Sequence, residues 1–217
     1  MIQIKDLNKT FQTSHGKLTI FEDFNLTVGD ACFLGIQGKS GIGKTTLLSI
    51  IAGLQKADSG TITIDTTEIT SLSEKELSAF RNQNIGYISQ EQSLLENLTV
   101  FDNVRLPAFL SKYNNSTDKE ISSYANELLA DFGISHLAAQ YPADLSGGEN
   151  HRVLIARALI NKPKIILADE ATDSVDEERT EEIIRIFREL ANQGKTLILV
   201  SHDSQALRLC DEVIKIK

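Results

Sequence analysis

The octet Gly38-Lys39-Ser40-Gly41-Ile42-Gly43-Lys44-Thr45 lies between the apolar run Cys32-Phe33-Leu34-Gly35-Ile36 and the segment Thr46-Leu47-Leu48-Ser49-Ile50-Ile51-Ala52. That order predicts a strand, a glycine-rich turn and a helix, the opening of an α/β fold. The glycines let successive backbone N–H groups face one concavity. The following helix adds its unpaired N–H groups and the positive end of its dipole. Such a concavity fits the phosphates of a nucleoside triphosphate, with Lys44 reaching the β and γ groups and the Thr45 hydroxyl placed to ligate Mg²⁺. Glycines alone would mark only a turn; the Lys-Thr pair at this spacing, between strand and helix, makes the reading specific. The candidate phosphate-binding residues are Gly38, Lys39, Ser40, Gly41, Ile42, Gly43, Lys44, Thr45 and Thr46.

A chain of 217 residues accommodates one α/β domain with a lobe or subdomain, but not a second full domain. The formal net charge of −8 argues against a general nucleic-acid binder and against direct adhesion to anionic lipid. No apolar run approaches the roughly 18 residues of a membrane span, so any membrane role must come through a partner. The start, Met1-Ile-Gln-Ile-Lys-Asp-Leu7, lacks the basic and apolar regions of a secretory leader, and the reading is cytoplasmic. Cys32 and Cys210 have no metal or redox spacing and read as small buried apolar residues.

Ile2–Leu7 and Leu18–Val28 alternate apolar and polar residues, as half-exposed antiparallel strands do. Lys164–Asp169 and Lys195–Ser201 are short, continuous and apolar, as expected of parallel strands covered on both faces. Between them Ile183, Ile184, Ile186, Phe187 and Leu190 recur at helical spacing, a crossover helix over Glu177–Ala191. Residues from about 91 to 158 carry helical patterns, clearest at Val100–Leu110 and Thr117–Phe132, where Thr117 and Glu120 form a capping box. The expected organisation is one domain: a core of about 1–90 and 159–217, an N-terminal antiparallel β subdomain, a mostly parallel sheet, and a helical subdomain of about 91–158. Val213–Lys217 is expected to be the last strand.

Ile165–Asp169 ends in two adjacent carboxylates, the arrangement needed for metal-assisted phosphate hydrolysis. Asp169 can hold Mg²⁺ through its water shell, and Glu170 can orient or deprotonate the attacking water. Leu145-Ser-Gly-Gly-Glu149 opens another helix. It is either a capped helix start, with Ser146 and Glu149 at capping-box spacing, or a second anion site whose ligand comes from another subunit.

Together these residues resemble the ATP-binding cassette family, nearly end to end, and specifically the nucleotide-binding subunit of a transporter. The resemblance implies that Ser146, Gly147, Gly148 and Glu149 form the signature that meets ATP held by the opposite protomer. Two subunits would then pack head to tail with two ATP molecules between them. It further implies that Gln90 reaches Mg²⁺ or the attacking water, that His202 contacts the γ-phosphate, that Asp176 bridges the protomers, and that Phe11 lies against adenine. Base identity rests on this resemblance, since neither Asn8-Lys-Thr-Phe11 nor Asn161-Lys-Pro-Lys164 completes a guanine-reading Asn-Lys-x-Asp motif. Ala171 and Val175 depart from the Pro and Leu usual in the bridging loop, and Glu149-Asn-His151 departs from a Gln-rich run. These changes keep the expected ligands and bear on the stiffness of the dimer contact.

Leu72–Leu110, with Arg81, the Ile85-Gly-Tyr-Ile-Ser-Gln90 loop, Leu98-Thr-Val100, Asn103-Val104 and Leu106-Pro107, is similar to the macrolide-exporter, lipoprotein-release and antimicrobial-peptide-resistance branch. That likeness implies an ATPase peripheral to the membrane, working with a second ATPase subunit and an integral membrane permease, and not with nucleic acid. Two alternatives are a regulatory ATPase controlling a membrane partner without transport, and a soluble ATP-gated clamp.

Overall fold

The computed structural model describes residues 1–14, 16–89, 94–110, 116–172 and 177–216, with residues 177–179 by backbone alone. The chain opens with the strands β1 (Ile2–Thr13), β2 (Gly16–Val28) and β3 (Phe33–Gln37), followed by helix α1 (Lys44–Ile51). Next come β4 (Ser59–Ile64), β5 (Thr67–Glu68), α2 (Glu74–Asn84) and β6 (Ile85–Ile88). Three helices follow, α3 (Val100–Phe109), α4 (Asp118–Asp131) and α5 (Gly147–Leu159). The fold closes with β7 (Ile165–Asp169), α6 (Glu177–Asn192), β8 (Thr196–Val200) and β9 (Glu212–Lys215).

The strands form two sheets. One has the order β2-β1-β4-β5 and is antiparallel throughout. In β1 the buried Ile2 and Ile4 keep the alternation, which then slips at a register shift before Leu7, where Asp6 takes the left-handed φ of 48°. The other sheet, β6-β7-β8-β3-β9, is wholly parallel. Its central strands β7 and β8 are buried along their whole length, which explains why their sequences do not alternate.

The parallel sheet has a core on each face. On one, Ile36, Leu167, Ile198 and Val200 pack with α1 and with Ile2, Ile4 and Ile62 of the antiparallel sheet. On the other, Phe33, Ile166, Ala168, Leu197 and Leu199 pack with α6 and with the inward residues of α3, α4 and α5. Asn103 of α3 is fully buried, and its side chain accepts from the Leu95 N–H and donates to the carbonyls of Leu95, Leu98 and Thr99. Both ends of that amide thus go into fixing the entry to α3.

Two expectations are corrected. Ile85–Ile88, expected to belong to a loop, is the strand β6, paired with Ile165–Ala168 at the sheet's edge. Gly86 permits this, since a Cβ there would lie 2.6 Å from the Ala158 carbonyl oxygen of α5. Cys32 and Cys210 are half-buried and free rather than fully buried. Burial nevertheless pushes the Cys210 thiol up to about 12, so it behaves as an unreactive residue. Among the described residues, no helix is long and apolar enough to cross a membrane.

Candidate nucleotide and hydrolysis site

In a parallel sheet every strand delivers its C-terminal residue to the same edge, where ligands of open α/β sheets bind. β3 delivers Gly38 and the phosphate loop, β7 delivers Asp169 and Glu170, and β8 delivers Ser201 and His202. The Ser201 N–H donates to the Ile36 carbonyl at 3.2 Å and the Glu170 N–H to the Val200 carbonyl at 3.0 Å, so the three strand ends are stitched together.

The loop turns into α1 at Gly43, whose φ of 105° suits glycine. A Cβ there would also stand 2.3 Å from Ile20 Cγ2 of β2. That contact sets the β1–β2 hairpin against the phosphate loop. Phe11 lies on the same hairpin, half-buried and paired with Leu18, with the Lys9 ammonium 5.2 Å from its ring centre. α1 has no side-chain cap and no acidic residue in its first turn. Its N-terminal donors are left for an anion.

Lys44 is 4% exposed, and its ammonium donates to the carbonyls of Gly38 and Lys39, each at 3.0 Å. The same nitrogen lies 3.7 Å from Glu170 Oε1, so the loop cation and the strand-end carboxylate share one cleft. Glu170 adopts φ 47°, a left-handed conformation costing about 1–2 kcal/mol in a non-glycine residue. The turn aims its carboxylate at Lys44 instead of letting it continue the alternation of β7.

Asp169 is 2% exposed, and its Oδ1 accepts from the Thr45 hydroxyl at 3.2 Å. Burial pushes its carboxyl above the ordinary carboxylate value and Glu170 adds to this, while hydrogen bonds from Thr45 and Tyr87 and the charge of Lys44 oppose it. A desolvated carboxylate facing a threonine hydroxyl is a hard-oxygen donor set that a cation would relieve. No cluster of three metal-ligating side chains exists among the described residues. The Asp169 carboxylate and Thr45 hydroxyl are oxygen donors of the kind Mg²⁺ takes, with waters and substrate phosphate oxygens as most of its other ligands.

At α5, Ser146 is the N-cap. Its N–H and hydroxyl donate to Glu149 Oε2 at 2.7 and 2.6 Å, and the Glu149 N–H donates back to the hydroxyl at 3.4 Å. Ser146 and Gly147 are exposed, Gly148 half-buried. The structure thus brings together Gly38–Thr46, Asp169, Glu170 and the strand end leading to His202, whereas the hydrogen bonds of Ser146 and Glu149 stay within their own helix turn. Gln90 and Asp176 lie outside the described residues. Tyr87, half-buried against the cluster that packs α1 onto the sheet, carries no motif of its own in the sequence. The signal that could have found it is its place one residue before the end of an edge strand beside β7.

Residues 21–173 match the family described as ABC transporter. The chain belongs to the ABC transporter family. This cassette is 40% identical over 215 residues to the lipoprotein-releasing system ATP-binding protein LolD of Bacteroides thetaiotaomicron, covering 99% of this chain and 95% of that protein. It is 40% identical over 217 residues to the methionine import ATP-binding protein MetN 1 of Acinetobacter baylyi, covering 99% of this chain and 60% of that one. Its fold matches the dimeric post-hydrolysis state of the ATP-binding cassette MJ0796 bound to ADP and Pi with a TM-score of 0.92 at 34% identity, over 100% of this chain and 94% of that one. The chain is an ATP-binding, ATP-hydrolysing subunit of the ABC type.

Proposed function

We propose that two copies of the chain pack head to tail on ATP and drive a separate membrane permease. The observation that carries this reading is the exposure of a second glycine-rich helix start whose Ser146–Glu149 hydrogen bonds stay within its own turn. Lys44, Thr45, Asp169 and Glu170 meet in one cleft. The glycine-rich start of α5 stands exposed, bonded within its own turn. A second copy would bring that start onto the triphosphate.

In this reading Gly38–Thr46 wraps the phosphates, and Lys44 turns from the loop carbonyls to the β and γ groups. Thr45, Asp169 and Gln90 would hold Mg²⁺, which would supply charge that neutralises the phosphates. Glu170 takes the proton of the attacking water as its oxygen bonds to the γ phosphorus and the bond to the bridging oxygen breaks, leaving ADP and phosphate. His202 contacts the γ-phosphate, and Phe11 stacks on adenine. Ser146, Gly147 and Gly148 of the second copy close over the phosphates with Glu149 capping their helix, and Asp176 bridges the protomers. Residues of about 91–158 form the lever that conveys closure to the permease.

A cavity of about 550 Å³ between α2, α3, α5 and β6 supports permease docking beside that lever. Lys75, Arg81 and Arg157 line it and, among the described residues, no carboxylate does, in a chain of net charge −8. This chemistry favours a permease helix that presents an acidic side chain. Purification from detergent-solubilised membranes tests the reading. An integral membrane protein co-purifying in stoichiometric amount is expected, whereas a cassette recovered alone, or one without Mg²⁺-dependent turnover either alone or with its permease, contradicts it.

A further inference from the structure

We propose that Lys9 is a positioning residue for the nucleobase, its ammonium anchored by Asp58 and set against the Phe11 ring so that the ring is held for stacking. The inference rests on the reading of Phe11 as the adenine platform.

Phe11 differs from the other aromatic residues of its hairpin. Phe21 and Phe24 pack into the core that joins the two sheets, with ring centres 5.1 Å apart, whereas among the described residues Phe11 packs into neither core. A half-buried ring that the core does not use is open to a ligand. Its direction follows from the strand pairing. Lys9 pairs with Phe21, so the two share a face of the sheet, and Phe11, two residues beyond Lys9 on β1, lies on that face as well. From this face Phe21 meets the phosphate loop, since a Cβ at Gly43 would lie 3.3 Å from the Phe21 Cζ. Between Lys9 and Thr10 the register slips, because Ile20 is an extra residue on β2, and the bulge brings Ile20 toward Gly43 too.

Lys9 supplies what the core does not. Its Nζ lies 5.2 Å from the Phe11 ring centre, within the range of a cation–π contact. The same ammonium is 3.2 Å from Asp58 Oδ1, and the Lys9 side chain is only 13% exposed. Asp58 Oδ2 accepts from the Thr10 N–H at 2.7 Å, and the Asp58 N–H donates to the Asn8 carbonyl at 2.9 Å. Asp58 thus grips Asn8, Lys9 and Thr10, the three residues that lead into Phe11. With the cation on one face of the ring, a base stacks on the other.

The test is calorimetric binding of ATP and of inorganic tripolyphosphate, which carries the charges without the base, to the full chain as wild type, Phe11→Ala, Lys9→Met and Asp58→Asn. Melting temperatures of the ligand-free proteins report the fold. For Lys9→Met the expected result is about a 3-fold loss of ATP affinity with tripolyphosphate affinity unchanged. Asp58→Asn keeps an acceptor for the Thr10 N–H and deletes a negative charge, so charge attraction alone would tighten both ligands. A similar loss for ATP is expected instead. Equal losses of ATP and tripolyphosphate in Lys9→Met overturn the inference, as does wild-type ATP affinity in Lys9→Met or tighter ATP binding in Asp58→Asn. If Phe11→Ala keeps the wild-type ATP affinity, the underlying reading of Phe11 fails and the inference falls with it. If Phe11→Ala weakens ATP binding and Lys9→Met does not, only the inference fails.

Discussion

The Thr45 hydroxyl donates to Asp169 Oδ1 across 3.2 Å, joining the first turn of α1 to the end of β7 over 124 residues of sequence. The contact is the hinge of the whole site. It sets a buried carboxylate beside the helix that receives the phosphates, and the cost of burying that charge becomes a preference for a cation.

Asp169→Asn follows from that cost. The folded-state value of Asp169 is raised above 3.8, chiefly by burial, so the group favours the fold below its ordinary value and ceases to as pH rises through the raised one. At neutral pH the ligand-free protein carries a desolvated charge. Asparagine should raise the melting temperature in EDTA at pH 7 and abolish the extra stabilisation that Mg²⁺ adds to ATP. Thermal scans of both proteins in EDTA, ATP and Mg·ATP check this.

Gly43→Ala tests the turn into α1. The substitution forces an L side chain to φ 105° and places its Cβ 2.3 Å from Ile20 Cγ2. Strain and overpacking together should cost roughly 1–3 kcal/mol in urea unfolding and eliminate ATP binding. A variant as stable as wild type would show that the hairpin does not press on the loop.

Much of this site was legible because its chemistry is local. The phosphate loop spans eight consecutive residues, Asp169 and Glu170 are adjacent, and the capping boxes at Thr117 and Ser146 need only four residues each. What escaped depends on distant contacts. β6 has four residues, one of them Gly86, and is a strand because β7 lies beside it and α5 leaves no room for a side chain. α2 buries only Leu77, so it lacks a clear apolar stripe. The place of Tyr87 beside Leu167 comes only from the parallel register, which no local pattern encodes. The alternation of β1 likewise stops at Asp6, where a bulge stands in for the expected next pair.

The capping boxes predict an acid limb in the stability curve. Hydrogen bonds chiefly from the Ser73 hydroxyl to Glu76, from the Thr117 N–H to Glu120 and from the Ser146 hydroxyl to Glu149 hold these carboxyls below 4.5. Their contribution is complete above that ordinary value and is lost as pH falls through the depressed folded values. Replacing the three cap residues with alanine should cost about 1 kcal/mol each. It should also flatten the melting temperature between neutral pH and the acid limb, and scans across that range would show it.

The central claim is that the start of α5 in one copy closes on the triphosphate held by another, and the most direct measurement is molar mass by light scattering for Glu170→Gln at saturating Mg·ATP. With hydrolysis blocked, the 24.0 kDa chain should double in mass, and adding Ser146→Arg should return it to the monomer. Monomers of Glu170→Gln under those conditions, or dimers indifferent to Ser146→Arg, would contradict it.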